Sequence, residues 1–278
     1  MDRIIQQLIQ LQELHFTLLE QQTLVPKAQL ADLENAIKAL IKDLPAEIAK
    51  LYRRLQKRHN AAIVPEIKGT CSACGIALPT SLAGEIRAKK GIHQCPSCLR
   101  ILYHFEGAPG QLKRDLKQTG KPMTGVARFS AAELMLPRIE AQNRDGAITE
   151  LIQVMADQEF VENPKDVLGA ALRREALVST ALGHGLAFPH VRGVAGGGLT
   201  FALGLKKSGI RFEPSQDRLT RIIFFILIPS ATSVFYLKVL SGLIETFQEA
   251  NTRKQLLACT TPKEMWHTLT AFTKKTIP

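Results

Sequence analysis

The sequence predicts a multi-domain fold in which an α-helical coiled-coil hairpin and a small cysteine-rich module precede an α/β domain. Near the amino terminus, apolar residues recur at alternating steps of four and three, which is the spacing of a coiled-coil seam. Four of the five cysteines form two C-x2-C pairs. Farther along, an apolar run at Ile222–Ile228 is typical of a strand buried on both faces. We expect the hairpin at 1–62, the cysteine module at 63–105, a linker at 106–128 and the α/β domain at 129–278.

The predicted hairpin has a seam of apolar positions. These are Ile4, Leu8, Leu11, His15, Leu18, Leu30, Leu33, Ile37, Leu40, Leu44, Ile48, Leu51 and Leu55. Val25-Pro26 separates the first helix from the second, because a residue that precedes proline is disfavoured in a helix. The pattern leaves open whether Pro45 kinks one helix or separates two. We interpret His15 as a packed seam residue and not as a ligand.

The cysteine module has the spacing of a metal site. Cys71 and Cys74 form one C-x2-C pair, Cys95 and Cys98 form the other, and twenty residues lie between the pairs. Two such turns complete a tetrahedral sulfur shell, which predicts a structural zinc ion with no open position for a catalytic water. We expect Gly75 to supply the positive φ of the first metal-binding turn.

Two histidines lie near these cysteines. Four thiolates already fill the shell, so we interpret His93 and His104 as surface or strand residues. Short strands are predicted around the second pair, at Ile92–Gln94 and Arg100–Phe105.

The helical hairpin followed by CSACGIALP and QCPSCLRILY resembles the C4-type zinc-ribbon family over residues 1–105. Several members of that family act as adaptors or chaperones that contact proteins or RNA. The resemblance implies a protein partner for the hairpin and the ribbon.

Basic residues are concentrated in the first half of the chain. The whole chain has a net charge of +11, and residues 1–125 carry 18 Lys+Arg against 11 Asp+Glu. Three clusters are densest: Arg53-Arg54 with Lys57-Arg58, Arg87 with Lys89-Lys90, and Lys113-Arg114 with Lys117 and Lys121. Such clusters either bind nucleic-acid phosphates or form a solvated helix face, so nucleic acid is an alternative to a protein partner.

The amino terminus lacks the basic and apolar regions of a signal peptide, and the longest apolar run is too short to span a membrane. We expect a cytoplasmic chain without membrane insertion.

The last domain combines helical patterns with a histidine after a proline. Helices are predicted at Phe129–Glu159 and Asp166–Ala176, and a short strand is predicted at Leu186–Phe188 after a turn that Gly183 and Gly185 permit. Pro189 then stiffens the end of the strand and presents His190 at its tip.

His190 has chemistry suited to an anion. A neutral imidazole can attack phosphorus, and the guanidinium groups of Arg174 and Arg192 can stabilise phosphoryl oxygens. A lone histidine is more often structural, so the residues by themselves leave the structural role of His190 open.

RREALVSTALGHGLAFPH is similar to the signature of the enzyme IIA domain, mannitol/fructose/nitrogen-regulatory type, of the bacterial phosphotransferase system. The likeness continues at Ile222–Pro229, which resembles the core strand after the active site, and at Tyr236–Leu240, which resembles the following helix. Thr261–Met265 resembles the start of the last helix. The likeness implies a mixed sheet flanked by helices.

The same resemblance assigns roles to residues of the motif. His190 would accept a phosphoryl group, with Arg174 beside it and Ser179 or Thr180 supporting the loop. Where the family places a second active-site histidine, this chain has Tyr236, which can donate a hydrogen bond but offers no titratable cation near pH 7. Gly196-Gly197-Gly198 predicts a flexible loop near the site.

Two functions remain open from the sequence. The first is a phosphohistidine carrier that accepts phosphate on His190 from HPr and passes it to an enzyme IIB or holds it as a signal. A regulatory role is expected, because a binding module precedes the domain and no transport domain occurs in this sequence. The alternative is a non-catalytic zinc-ribbon adaptor that binds protein or nucleic acid and carries a degenerate IIA-like sensing domain.

Overall fold

The structure is a computed structural model that falls into two compact units, Met1–Gly107 and Ala108–Pro278. It describes residues 2–24, 30–104, 125–194, 197–213, 218–229 and 233–277. The predicted turn at Val25-Pro26, the glycine Gly196 and all but the last four residues of the predicted linker lie outside the described residues. Among the described helices, none is long and apolar enough to cross a membrane.

The first unit begins with three helices, α1 (Asp2–Leu24), α2 (Ala31–Lys42) and α3 (Ala46–Arg58). Pro45 answers the question that the sequence left open, since it caps the start of α3 with φ −53° and separates that helix from α2. A proline lacks an N–H group, so it fits the start of a helix, where that group has no partner within the helix.

The predicted seam forms a core within this unit. The seam residues buried there are Leu8, Leu11, Ile37, Leu44 and Leu55. His15 packs beside Tyr52 of α3, whose hydroxyl lies 3.1 Å from His15 Nδ1. The prediction of a packed histidine at this position is consistent with these contacts.

A four-stranded sheet follows the helices. Its strands are β1 (Ile63–Ile67), β2 (Thr70–Cys71), β3 (His93–Gln94) and β4 (Ile101–His104), in the order β2-β1-β4-β3. The buried Gln12 side chain joins α1 to β1, because its amide donates to the Ile63 carbonyl at 2.7 Å and accepts from the Ile63 N–H at 2.9 Å. Between the cysteine pairs lies α4 (Thr80–Arg87), a helix that the sequence patterns had not predicted.

The second unit is built on a mixed sheet, as expected. Its strands are β5 (Met135–Leu136), β6 (Ala181–Leu182), β7 (Leu186–Ala187), β8 (His190–Val194), β9 (Thr200–Ile210) and β10 (Thr220–Pro229). The order is β5-β9-β10-β7-β6, and β8 also pairs with β10. β10 runs parallel to β7 and β8 and antiparallel to β9. The run Ile222–Ile228 forms most of β10 and is fully buried, which confirms the predicted central strand.

Helices flank this sheet. They are α5 (Arg144–Asp157), α6 (Pro164–Leu177), α7 (Ser233–Gln248), α8 (Ala250–Ala258) and α9 (Pro262–Thr273). The helix predicted at Asp166–Ala176 is confirmed within α6, and the predicted start of the last helix is confirmed by a capping box between Thr261 and Glu264.

The helix predicted at Phe129–Glu159 is wrong over its first half. Only Arg144–Asp157 is α-helical, whereas residues 129–143 include a 3-10 turn and the short strand β5. The backbone there bonds to β9, since Phe201 N–H donates to the Phe129 carbonyl and Ser130 Oγ donates to the Phe201 carbonyl. These tertiary bonds replace the bonds that a helix would have made within itself.

The strand before His190 is shorter than predicted. β7 ends at Ala187, and His190 is not the tip of that strand but the first residue of β8. Pro189 interrupts the ladder because it has no N–H group to donate. Its carbonyl still accepts from Ile226 N–H at 2.9 Å, so the chain stays beside β10.

Candidate functional site

The four paired cysteines converge at one point. Their sulfur atoms all lie within 4.8 Å of one another, with Cys71 Sγ 3.7 Å from Cys98 Sγ and Cys74 Sγ 3.6 Å from Cys95 Sγ. Four thiolates around one Zn²⁺, with Zn–S bonds of about 2.3 Å, lie about 3.8 Å apart. The cluster therefore has the size expected of a four-sulfur shell around one tetrahedral zinc ion.

Both cysteine turns have the same backbone geometry. Gly75 N–H donates to the Cys71 carbonyl at 2.8 Å, and Leu99 N–H donates to the Cys95 carbonyl at 2.9 Å. Gly75 has φ +73°, as expected, while Leu99 occupies the equivalent position with φ +63°. Backbone N–H groups also point at the sulfurs, from Ala73 and Cys74 toward Cys71 and from Ser97 and Cys98 toward Cys95. Such donors stabilise thiolate charge, which a four-sulfur zinc site requires.

The histidines near the ribbon have other partners. His104 Nδ1 lies 3.0 Å from the buried carboxylate of Glu66, which also accepts from Arg87 at 2.9 Å. Burial favours a raised pKa for Glu66, but the hydrogen bonds from Arg87, the Gly69 N–H and His104 outweigh it and lower the pKa. His93 lies 3.6 Å from the Glu85 carboxylate and contacts the Lys90 carbonyl. Both histidines are strand residues outside the sulfur shell, as interpreted from the sequence.

In the second unit, the His190 ring is held by a hydrogen bond at each nitrogen. Nδ1 lies 3.0 Å from the Phe188 carbonyl, and Nε2 lies 3.2 Å from Arg174 Nε. A carbonyl only accepts and a guanidinium only donates. The proton therefore lies on Nδ1, and the lone pair of Nε2 points at Arg174.

Arg174 reaches His190 from the last turn of α6. Its Nη1 donates to the Val178 carbonyl at 2.9 Å, just beyond the end of the helix. That bond satisfies a carbonyl left without a partner by the helix and fixes the guanidinium group beside the imidazole.

Glu175 holds the turn that connects α6 to β6. Its buried carboxylate accepts from Thr180 N–H at 2.9 Å, from Thr180 Oγ1 at 2.7 Å and from Ser179 Oγ at 3.1 Å. The Thr180 carbonyl in turn accepts from Phe188 N–H at 3.1 Å. This connected set of bonds places the Phe188 carbonyl where His190 Nδ1 meets it.

Tyr236 of α7 lies on the Nδ1 side of the ring. Its hydroxyl is 3.4 Å from His190 Nδ1, which is long for an O–H hydrogen bond, and the two ring centroids are 5.4 Å apart. The Arg192 guanidinium carbon lies 4.9 Å from the centroid of the Tyr236 ring. Tyr236 thus joins Arg192 to His190 by a cation–π contact and a ring contact.

The His190 residue is 2% exposed, and Arg174 and Tyr236 are also buried. The structure therefore brings together His190, Arg174, Arg192 and Tyr236, with Ser179 and Thr180 held on the adjoining turn. In this arrangement the imidazole lone pair that an electrophile could use is the one on Nε2, and Arg174 lies directly in front of it.

Comparison with known proteins decides the family of this fold. The sequence profile described as "Phosphoenolpyruvate-dependent sugar phosphotransferase system, EIIA 2" matches residues 129–271, slightly more than half of the chain. The chain belongs to this EIIA 2 family. A second profile, the C4-type zinc ribbon domain, matches residues 70–102, which contain all four paired cysteines. Together with the sulfur geometry, this match identifies the ribbon as a structural zinc site.

Relatives of the EIIA domain carry several names. The chain is similar to the PTS system fructose-specific EIIA component of Haloferax volcanii, with 28% identity over 135 residues that cover 49% of this chain and 88% of that protein. It is also similar to the nitrogen regulatory protein of Bradyrhizobium diazoefficiens, with 25% identity, 48% of this chain and 86% of that protein covered. The solved structure of nitrogen regulatory protein IIA-Ntr from Neisseria meningitidis has a TM-score of 0.47 at 23% identity, covering 51% of this chain and 97% of that one.

Two groups in the EIIA domain were missed by the sequence reasoning. Glu175 stands beside Arg174 in the motif, and its adjacency to that arginine was a usable signal. The Phe188 carbonyl gave no signal, because a backbone acceptor has no residue type of its own. His184 lies exposed in the turn with φ +67°, away from the network around Nε2, and Gly197 and Gly198 are exposed.

Proposed function

We propose that the EIIA domain is a phosphocarrier with a regulatory role and that His190 Nε2 accepts a phosphoryl group from the phosphohistidine of HPr. The observation that carries this proposal is the pair of bonds on the ring, Nδ1–H to the Phe188 carbonyl and Arg174 Nε–H to Nε2. They leave the lone pair of the imidazole on the nitrogen that faces a guanidinium group.

The transfer is a substitution at phosphorus. The Nε2 lone pair attacks the phosphorus atom, a new N–P bond forms, and the N–P bond of the donor phosphohistidine breaks with its electron pair leaving on the donor imidazole. Nδ1 keeps its proton throughout, and this N–H group continues to donate a hydrogen bond to the Phe188 carbonyl. Arg174 Nε–H moves from Nε2 to a phosphoryl oxygen, where a charge-assisted hydrogen bond is stronger than the bond to neutral imidazole.

Burial of His190 makes opening part of this reaction. Since the residue is 2% exposed, the donor reaches Nε2 only after the side chains over it move. The bond from Arg174 Nη1 to the Val178 carbonyl anchors the guanidinium group at the helix end, so the Nε–H group can leave Nε2 while this anchor is kept. The phosphoryl group then passes to an enzyme IIB or remains as a signal, and the attached zinc ribbon favours the signal.

Intact mass spectrometry tests the proposal. Full-length protein incubated with enzyme I, HPr and phosphoenolpyruvate should gain the mass of one phosphoryl group, in an acid-labile and alkali-stable adduct. His190→Ala should remove the gain, and the matched variant His184→Ala should keep it. Labelling at His184, or none on the folded wild-type protein, would contradict the proposal.

A second candidate function is binding of nucleic acid by the first unit. Lys50, Arg53, Arg54, Lys57 and Arg58 recur at alternating steps of three and one on α3, and all five are exposed. Ala49, Tyr52 and Leu55 form the opposite, buried face of the helix. Among the residues that the structure describes, no carboxylate forms an ion pair with any of the five cations. A stripe of this kind neutralises phosphates without reading sequence.

Electrophoretic mobility shift at several salt concentrations tests the second candidate. Binding to a short duplex should weaken steeply as salt rises. A plot of the logarithm of the binding constant against the logarithm of the salt concentration should have a slope of about −0.9 for each phosphate neutralised. Arg53→Glu with Arg54→Glu should abolish the shift, whereas Lys38→Glu with Lys42→Glu on the exposed face of α2 should reduce it only modestly. Equal effects of the two pairs would point to net charge and count against the stripe.

A further inference from the structure

A cavity of about 530 Å³ opens on the second unit beside β9. It is lined by residues from the segment after β5, from β9 and from the end of α8, among them Ile139, Lys206 and Cys259. Ile226 of β10 pairs with His190 on one side and with Phe201 of β9 on the other, so His190 and Phe201 lie at the same height in the sheet. The first residue of β9 that lines the cavity is Leu205. Four residues of strand span about 13 Å, so this cavity is separate from the phosphoacceptor site.

A buried cation forms part of the cavity wall. Lys206 is 7% exposed, and its Nζ donates to the carbonyls of Ile139 at 3.0 Å and Glu140 at 3.1 Å. An ammonium group has three N–H donors, so two carbonyls leave one for a further acceptor. Within the described ranges, no carboxylate forms an ion pair with Lys206. The two carbonyls are neutral, so they accept hydrogen bonds but supply no counter-charge, and a buried charge is costly unless it is paired with an opposite charge.

The carboxylates on the neighbouring loop are already engaged. Glu140 pairs with Arg138 at 2.9 Å, with both side chains largely exposed. Glu150 accepts from the backbone N–H groups of Glu140 and Ala141 at 3.0 and 2.6 Å. Neither carboxylate is the partner of Lys206 Nζ, so the positive charge in the wall is not neutralised by this loop.

We propose that the cavity binds a small anionic metabolite whose carboxylate or phosphate group accepts from Lys206 Nζ. The charged residues of the lining are Arg138, Glu140, Lys206 and Lys207, which carry a net positive charge. The volume lies in the range of small-molecule sites, about 300–1,000 Å³. An anionic oxygen would accept a hydrogen bond from the third N–H group of Lys206 Nζ and compensate the buried positive charge. The positive charges of Lys207 and Arg138 at the rim also attract an anion.

Cys259 supplies a local readout. Cys259 is one of the residues that line the cavity, and it is buried, with Sγ 3.5 Å from the Gln255 carbonyl and from Thr268 Oγ1. Because this thiol is buried, its alkylation requires the wall of the cavity to open locally, and a bound anion opposes that opening, so alkylation should slow. Peptide mapping distinguishes Cys259 from the zinc cysteines, and the signal does not depend on His190.

The experiment titrates inorganic phosphate and, separately, succinate into zinc-loaded full-length protein, with sodium chloride at matched ionic strength as the blank. Iodoacetamide alkylation of Cys259 is followed by mass spectrometry. We expect saturable protection by at least one anion, which also identifies phosphate or carboxylate as the preferred group. Protection should persist in Arg174→Met, a variant that weakens anion binding at the phosphoacceptor site.

Two lysines give the matched comparison. Lys206→Met should weaken anion affinity about tenfold or more, since hydrogen bonds to charged groups are worth that much, while Lys207→Met at the rim should have a smaller effect. Lys206→Gln serves if the methionine variant does not fold, because its amide can still donate to one carbonyl but carries no charge. Protection that survives in a folded Lys206 variant, that vanishes in Arg174→Met, or that neither anion gives to the wild type would overturn the proposal.

Discussion

At the scale of single residues, the guanidinium group of Arg174 makes hydrogen bonds in two different directions. Its Nε contacts His190 Nε2 and its Nη1 contacts the Val178 carbonyl. A lysine ammonium is a point charge on a flexible stem and cannot hold both positions with the same geometry. We expect Arg174→Lys to slow phosphorylation of His190 by about 100-fold, the loss typical of one misplaced oxyanion donor.

Initial rates of labelling by phosphorylated HPr measure this effect. Arg173→Lys provides the matched control, because Arg173 is the adjacent residue on α6 and its side chain is exposed. Arg173→Lys should label at the wild-type rate. Equal rates for both variants would show that the two hydrogen bonds of the Arg174 guanidinium group do not contribute to transfer.

Tyr236 occupies the position where the resemblance places a second histidine. Its hydroxyl is 3.4 Å from His190 Nδ1, too far for a strong hydrogen bond, and that nitrogen already donates to the Phe188 carbonyl. We expect Tyr236→Phe to change the labelling rate by about twofold or less, since a weak bond is all that it removes. Tyr236→His restores the residue that the resemblance places here and should speed transfer, because an imidazolium adds positive charge to a site that receives an anionic phosphoryl group.

The same rate assay checks both Tyr236 variants, with thermal unfolding to confirm that each folds. Loss of labelling in Tyr236→Phe would assign the hydroxyl a required role. Labelling of Tyr236→His alone, with none of the wild type, would support the adaptor function over the phosphocarrier.

At the scale of helices and strands, sequence patterns predicted elements whose signals are local. The pattern at Asp166–Ala176 predicted most of α6, whose start is fixed within one turn by the Asn163 cap and by Pro164. The prediction of a helix over residues 129–143 was wrong because the hydrogen-bond partners of this segment belong to β9, about seventy positions later. In the candidate site, too, the sequence predicted the residues of the local motif but not a contact that depends on the fold. The motif identified His190 and Arg174, but the bond to the Phe188 carbonyl depends on how Glu175 folds the intervening turn.

The contact between α1 and α3 makes the first unit sensitive to acid. Burial lowers the pKa of His15 below 6.5, with the Leu11 carbonyl opposing it. The unfolded chain then binds a proton more readily than the folded one, so stability falls as the pH drops below about 6.5. The loss ends once the pH passes below the folded pKa, where both states are protonated.

We expect His15→Gln to flatten this dependence between pH 7.5 and pH 6. Chemical unfolding of the zinc-loaded protein, followed by far-UV circular dichroism, measures it. His267→Gln on the exposed face of α9 is the control and should keep the wild-type slope. An unchanged slope in His15→Gln would assign the acid sensitivity to other groups.

At the scale of the whole molecule, each unit has its own source of stability. In the first unit, the sulfur cluster joins β2, β3 and the turns beside them around a small core that includes Val64, Ile86 and Leu102. In the second, the buried strand β10 is paired on both edges. Removing the metal should therefore unfold the ribbon and leave the EIIA domain folded.

Cys95→Ser tests this independence. Zinc binding contributes roughly 10 kcal/mol or more to small zinc modules, which exceeds the stability of a small domain. We expect loss of bound zinc by metal analysis, rapid proteolysis within residues 63–104, and unchanged labelling of His190. Cys259→Ser should keep the metal and the protease resistance. A zinc-loaded Cys95→Ser protein, or one whose second unit also unfolds, would contradict the expectation.

The pairing of β7 and β8 with the same strand constrains the length of the chain between them. Ala187 pairs with Ile223 and His190 pairs with Ile226, so both strands advance three residues along β10 together. One added or deleted residue at Phe188–Pro189 would move every following side chain to the opposite face of the sheet and turn the imidazole away from Arg174. An insertion at the exposed turn of Glu162–Asn163 has no such effect. Related domains should therefore have no insertions or deletions between the start of β7 at Leu186 and the end of β8 at Val194, whereas the segments on either side can vary in length.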